Sequence, residues 1–167
     1  MGWRCQDTKI DYSLIHLIYL NRTDANDNDF KSLVLLLDQE LRVRDGDDHL
    51  FYAQFNALVR INHVVVAYLD GEVAGCGAFR SFDPGIAEIK RMFVSPTSRR
   101  RGIAAQILKE LESWALEEQF KTCILETGFN QPEAIALYQK SGYTVIPNYG
   151  PYIGISNSVC MKKLINV

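Results

Sequence analysis

Val94-Ser95-Pro96-Thr97-Ser98-Arg99-Arg100-Arg101-Gly102-Ile103-Ala104 joins two unlike patterns. Before it, Ala87–Val94 is a β-rich run. After it, Ile103, Ala104, Ile107, Leu108, Leu111, Trp114 and Ala115 fall on one helical face, with Gln106, Lys109, Glu110, Ser113 and Glu117 on the other. The stretch is therefore a loop that leaves a strand and opens a long amphipathic helix. A helix N-terminus offers unpaired backbone N–H groups and a partial positive charge, so three arginines and a glycine placed there suit a bound phosphate. Gly102 removes a side chain where such a ligand comes close to the backbone. From this segment alone, a charged and solvated turn that merely starts a helix is the alternative. The stretch is neither a Walker loop, since it lacks Gly-Lys-Ser/Thr, nor a three-glycine dinucleotide fingerprint.

Upstream, His63–Leu69 and Glu72–Phe82 flank Asp70-Gly71, whose positive φ angles suit a tight hairpin turn. Gly75 and Gly77 weaken the second arm and point to a bulge or a close backbone approach. Asp83-Pro84-Gly85 turns the chain into Ala87–Val94, so three adjacent antiparallel strands are expected. Earlier still, Tyr12–Leu20 reads as a first strand. Phe30, Leu33, Val34, Leu37 and Leu41 recur at helical spacing up to the Gly46 breaker, and a short helix fits Leu50–Leu58. Downstream come a strand at Thr122–Thr127 and a helix at Pro132–Ser141, with Pro at its first turn and Gly142 past its end. Tyr143–Ile146, a Gly/Pro/Tyr-rich loop and a last strand near Ser158–Leu164 close the chain. An antiparallel first half joined to strand–helix–strand–helix–strand gives an α/β mixed sheet.

At 167 residues with no linker, repeat or low-complexity tract, the chain reads as a single domain, 1–167. A chain near this size buries roughly 70% of its unfolded surface, enough for a core without metals or disulfides. Its 47% apolar content excludes intrinsic disorder, and no apolar run approaches the length of a membrane span. The net charge of −2 argues against a nucleic-acid-binding module. Lys90, Arg91, Arg99, Arg100 and Arg101 form the one dense basic cluster, at or near the proposed phosphate seat. Residues 1–6 lack the apolar core of a signal peptide, and Gln6 stands where a myristoylation signal needs Ser or Thr. Cys5, Cys76, Cys123 and Cys160 have no paired spacing, and His16, His49 and His63 no ligand spacing. Reduced thiols, a cytoplasmic location and no metal are expected.

Arg99-Arg100-Arg101-Gly102-Ile103-Ala104 satisfies the Arg/Gln-x-x-Gly-x-Gly/Ala signature of the GNAT superfamily of acetyl-CoA-dependent N-acetyltransferases, and the chain resembles that family from about Asp70 to Tyr143. The context agrees in order and spacing: Met92-Phe93-Val94, Pro96, the Leu-Glu-x-x-Ala of Leu111–Ala115, then Ala134-Ile135-Ala136-Leu137-Tyr138 and Gly142-Tyr143. The resemblance implies a GNAT-like fold with a splayed central strand pair and acetyl-CoA as co-substrate. It implies that the backbone of Phe93 and Val94 meets the pantetheine arm. The N–H groups of Arg99, Arg100, Arg101, Gly102, Ile103 and Ala104 would then cradle the pyrophosphate. Where relatives carry Asn, this chain has Gln131 with Asn130 just ahead, so either amide is a cofactor contact.

Acetyl transfer to an amine needs proton removal from the nucleophile, stabilisation of charge on the thioester oxygen and protonation of the departing thiolate. Glu88, 14 residues before Gly102, matches the offset of the catalytic Glu in related histone acetyltransferases and is the first candidate base; Glu126 is the second. Tyr138 matches the family's acid, and a backbone N–H near Phe93 or Val94 would serve the oxyanion. Asp45, Asp47, Asp48, His49 and the loop Asn148-Tyr149-Gly150-Pro151-Tyr152 would wall the acceptor, an arrangement suited to a small cationic amine. The leading expectation is acetylation of a primary amine of a small molecule by direct attack in a ternary complex. No nucleic-acid or membrane partner is expected, and a homodimer is allowed. A protein Lys or N-terminal acetyltransferase and a non-catalytic acyl-CoA-binding sensor are the alternatives. The sensor would have no use for Glu88 and Tyr138.

Overall fold

Asp70 and Gly71 adopt φ angles of 53° and 89°, the pair of left-handed residues that lets a two-residue turn follow the right-handed twist of its strands. In the computed structural model, which describes residues 16–46, 54 and 61–165, this turn joins β2 (His63–Leu69) to β3 (Glu72–Asp83). Around them run β1 (Ile18–Thr23), α1 (Asn28–Asp45), β4 (Ile86–Val94), α2 (Ile103–Glu117), β5 (Thr122–Gly128), α3 (Pro132–Lys140), β6 (Thr144–Ile146) and β7 (Ser158–Leu164). The seven strands form one mixed sheet in the order β1-β2-β3-β4-β5-β7-β6. All neighbours are antiparallel except β4 and β5, which are parallel. This is the expected α/β mixed architecture.

Two differences concern the N-terminal half. The first strand runs over Ile18–Thr23 rather than Tyr12–Leu20; residues 12–15 lie outside the described residues. Its later half escapes an apolar reading because Arg22 faces outward, bonding Glu110 and Glu117 on α2. The helix expected at Leu50–Leu58 also falls outside the described residues, apart from Gln54. α1 begins as its cap dictates, with Asp27 Oδ1 accepting from Phe30 N at 2.9 Å, and ends at Gly46 with φ of 53°.

Both sheet faces are covered, which is why Val64, Val65, Val66 and Ala67 are all fully buried. On one face Val65, Phe79, Ala87, Ile89 and Leu125 pack against Ile103, Ile107, Leu108 and Leu111 of α2. On the other, Val64, Val66, Cys76, Ala78 and Phe93 pack against Phe30, Leu33, Val34 and Leu37 of α1. Gly77 is the seat of α2: a Cβ there would lie 2.5 Å from Met92 Sδ and 2.8 Å from both Ile107 Cγ2 and Leu111 Cδ1. The register shifts in three places along β3. One slips the β2–β3 pairing beside Gly75, one slips the β3–β4 pairing between Ser81 and Asp83, and at the third Cys76 pairs with Phe93 while Ala78 pairs with Lys90, which puts an extra residue on β4 and leaves Arg91 at φ 59°. Among the described residues, no helix is long and apolar enough to cross a membrane.

Candidate active site

The loop after β4 makes a single 3-10 turn over Pro96–Ser98, then becomes extended at Arg99 and left-handed at Arg100 and Gly102, with φ of 62° and 76°. Alternating handedness of this kind turns successive N–H groups toward one concavity. Gly102 is the N-cap of α2 and supplies no side-chain cap, and the helical ladder starts with Gln106 N donating to Gly102 O at 3.1 Å. The amides of Ile103, Ala104 and Ala105 are thus left without intrahelical partners, as in any first turn. They line a depression with Val94, Ser98, Arg99, Arg100 and Leu137.

The three arginines divide. Arg100 and Arg101 are exposed. Arg99 is a strut, its Nε donating to Val94 O at 2.9 Å and its Nη2 to Glu40 Oε2 at 2.5 Å, with the guanidinium 5.8 Å from the Phe93 ring. Ser95 N donates to Ala74 O at 2.8 Å, and antiparallel alternation then aims Phe93's backbone groups at β3 and Val94's away from it. Of the two residues expected to meet the pantetheine arm, Val94 is the one whose backbone faces the open side.

That side is open because β4 and β5 pair only at Ile86↔Thr122, Ala87↔Cys123 and Glu88↔Ile124. Beyond Glu88 the strands separate. The resulting cleft is lined by Leu37 and Leu41 of α1, Lys90, Arg91 and Met92 of β4, Glu126 and Thr127 of β5, then Gln131 and Tyr138. Gln131 is the N-cap of α3 and lines this cleft, whereas Asn130 is exposed and does not. Tyr138 is buried edge-on against Tyr143 at 5.8 Å between ring centres. Burial, helped by the charge of Glu126, pushes its phenol well above the usual tyrosine value, so it keeps its proton throughout the working range.

Glu88 lies behind the cleft surface. It is 1% exposed and does not line the cleft. Arg80 Nε donates to its Oε2 at 2.7 Å, Tyr149 Oη donates to its Oε1 at 3.0 Å, and Lys90 Nζ lies 3.8 Å away. Its carboxylate thus ties Arg80 of β3 to Tyr149 of the aromatic loop. The carboxylate that lines the cleft is Glu126. The aromatic loop does fold over this face: Tyr149 packs edge-on against Phe82 and Tyr152, at 5.0 and 5.8 Å. The side chain of Asp45, and Asp47, Asp48 and His49, lie outside the described residues.

The dense basic cluster also comes apart. Lys90 turns to the aromatic loop, donating to Tyr152 Oη at 3.2 Å. Arg91, on its bulge, pairs with Asp38 Oδ1 of α1 at 2.7 Å. Only Arg100 and Arg101 remain at the loop as exposed cations. Among the described residues no group of His, Cys, Asp and Glu could hold a metal. Cys76 and Cys123 are buried, which pushes both thiols up to about 12, and burial raises Cys160 as well. None of the three is poised as a thiolate.

A mixed sheet whose parallel central pair separates beside a helix start with unpaired amides is the architecture expected of an acyl-CoA-dependent acyltransferase. The comparisons agree. The family model described as Acetyltransferase (GNAT) family matches residues 30–143. The chain is 34% identical over 151 residues to an IAA acetyltransferase from Azospirillum brasilense, covering 86% of this chain and 97% of that one. Among solved structures, a Klebsiella pneumoniae protein described as an acyl-CoA N-acyltransferase superposes with a TM-score of 0.72 at 28% identity, covering 90% and 99% of the two chains. An N-acetyltransferase from Thermoplasma acidophilum in complex with coenzyme A shares the fold, with a TM-score of 0.66 at 16% identity over 89% and 99%. The chain belongs to the GNAT acetyltransferase family, and its enzymatic activity is acetyl-CoA-dependent acetyl transfer.

Proposed function

We propose that the chain acetylates a primary amine of a small molecule by direct attack in a ternary complex. The observation that carries this reading is the end of β4–β5 pairing at Glu88, which opens one cleft to the anion loop and to the α1 face. Donor and acceptor can then meet in the gap from opposite sides without a covalent relay. Burial raises the thiols of Cys76, Cys123 and Cys160, so among the described residues no cysteine is poised as the nucleophile of an acyl-enzyme, which favours the same conclusion. The relatives named for IAA and for streptothricin support an acceptor that is not a protein.

The depression at residues 94–105 fits acetyl-CoA. A Cβ on Gly102 would meet nothing within 4 Å, so there is room for a ligand against the backbone, and the unpaired amides of Gly102–Ala104 together with Arg100 and Arg101 suit a pyrophosphate. Val94's backbone and the Gln131 amide would hold the remainder. Bound there, the donor supplies an activated acyl thioester. The protein's own part is to move protons and stabilise charge. Glu126 takes the proton from the attacking ammonium, since an alkyl amine is mostly charged near neutral pH with a pKa around ~10.4. Tyr138, which holds its proton, donates to the departing sulfur. Val94's backbone N–H, which faces the open side, serves the thioester oxygen. Glu88 acts behind this line by fixing Tyr149 and Arg80.

Initial rates measured with acetyl-CoA and a panel of amines, following free thiol, test the reading. Intersecting double-reciprocal lines are expected. Parallel lines, or an acetyl-enzyme formed without acceptor, would falsify direct transfer, and thiol release with peptides but not with small amines would move the acceptor class to protein.

A further inference from the structure

Lys90 has no task in that scheme. It stands on β4 between Glu88 and Met92, lines the cleft, and only 10% of its side chain is exposed. A buried ammonium is costly unless its charge is met. Its close polar partner is a neutral phenol, Tyr152 Oη at 3.2 Å, and its Nζ also lies 5.8 Å from the centre of that ring. Glu88 is 3.8 Å away, beyond hydrogen-bond reach, and already accepts from Arg80 and Tyr149. One enclosed carboxylate is thus shared between two cations. Burial pulls Lys90 below the ordinary lysine value even against the opposing pull of Glu88 and Glu126, the mark of an ammonium whose counter-charge is incomplete.

The aromatic ring that a cationic acceptor would use therefore already carries the protein's own cation. A second positive charge brought there would be repelled in a medium that screens poorly. We infer that Lys90 is a specificity-determining residue that seats a carboxylate of the acceptor, so that the acceptor is an amine bearing a carboxylate. Its ammonium end goes to Glu126 and its anionic end to Lys90, and one negative charge completes what Glu88 only half supplies. The inference rests on the reading of this cleft as the acceptor site.

The test is equilibrium binding to the CoA-saturated protein of α-, β- and ω-amino acids, each compared with its own carboxamide. At least one acid should bind roughly 10- to 100-fold tighter than its amide, the scale of a hydrogen-bonded contact to a charged group. Lys90→Met should erase that difference, Lys90→Arg should keep most of it, and affinity for CoA should stay the same in both. If no acid outbinds its amide in the wild type, or if Lys90→Met keeps the preference, the inference is overturned. Should Lys90→Met fail to fold, Lys90→Gln decides in its place. Thiol release with the same pairs separates the two readings. An acid that binds through Lys90 yet is never acetylated sinks the proposed function alone, and amides acetylated as well as their acids sink this inference alone.

Discussion

At the end of the cleft proposed for the cofactor, one contiguous stretch, Val94 to Ala105, supplies backbone amides held by two left-handed residues. At the acceptor end, Arg80, Glu88, Lys90, Glu126, Tyr149 and Tyr152 come from three strands and a loop, and act through side chains that hold one another. A site made of main chain is indifferent to most side-chain changes but depends on a few φ angles. A site made of interlocked charges depends on each member keeping its partner, because removing one strands another in a buried place.

Tyr138 lines the cleft next to Leu137, which lines the depression at the helix start, and its loss should have the largest effect. Tyr138→Phe is expected to lower kcat by about 100-fold or more while leaving acetyl-CoA binding by calorimetry unchanged; equal loss of both would make it a packing residue. Gly102→Val tests dependence on backbone angle, since a β-branched residue at φ 76° is strained wherever its side chain has room. Acetyl-CoA affinity should fall by roughly 10- to 100-fold, with the acceptor KM unaltered at saturating donor. Tyr149→Phe probes the opposite end. Removing a donor to buried Glu88 should raise the acceptor KM by about 5- to 10-fold without moving the acetyl-CoA Kd, and the same change in both constants would mean that the two ends are not independent. Replacing both Arg100 and Arg101 by Ala should cost only a few-fold in acetyl-CoA affinity, an effect that shrinks with added salt because exposed charges are screened.

His63 lines neither the cleft nor the depression and serves as a control. It stacks on Phe79 at 4.2 Å and meets Trp114 edge-on at 4.8 Å, and burial lowers its pKa despite Glu118 nearby. A folded pKa below the unfolded one gives stability that is complete above the unfolded value, about 6.5, and declines as pH falls toward the folded one. Tm should therefore drop between pH 7 and pH 5, and His63→Gln should flatten that part of the profile.

The same contrast governs what could be read from residues alone. Arg99–Ala104 was legible because the geometry it builds is local: a glycine at a helix start and amides a few residues apart. The Asp70-Gly71 hairpin and the helical periods of α1 and α2 were legible for the same reason. The acceptor end was not. Lys90, Arg91 and Arg99 look like one basic cluster, yet their partners Tyr152, Asp38 and Glu40 lie more than 50 positions away, and no local pattern announces which acid will meet which base. Glu88 illustrates the limit well: its position on the strand could be counted, but its enclosure by Arg80 and Tyr149 depends on a hairpin partner and a distant loop.

The bulge at Arg91 has a further consequence, in the phase of β4. Glu88 and Lys90 project to the α1 face, and uninterrupted alternation would send Met92 and Val94 there too. Instead Phe93 joins the α1-side core while Met92 and Val94 pack on the α2 side. One additional residue reverses the strand's parity halfway along, so that a single strand puts Glu88 and Lys90 on the α1 face in its first half and Met92 and Val94 on the α2 face in its second. Strand length, in residues, thus sets which core each side chain joins: shortening β4 by one position would send Phe93 to the α2 side and Met92 and Val94 to the α1 side.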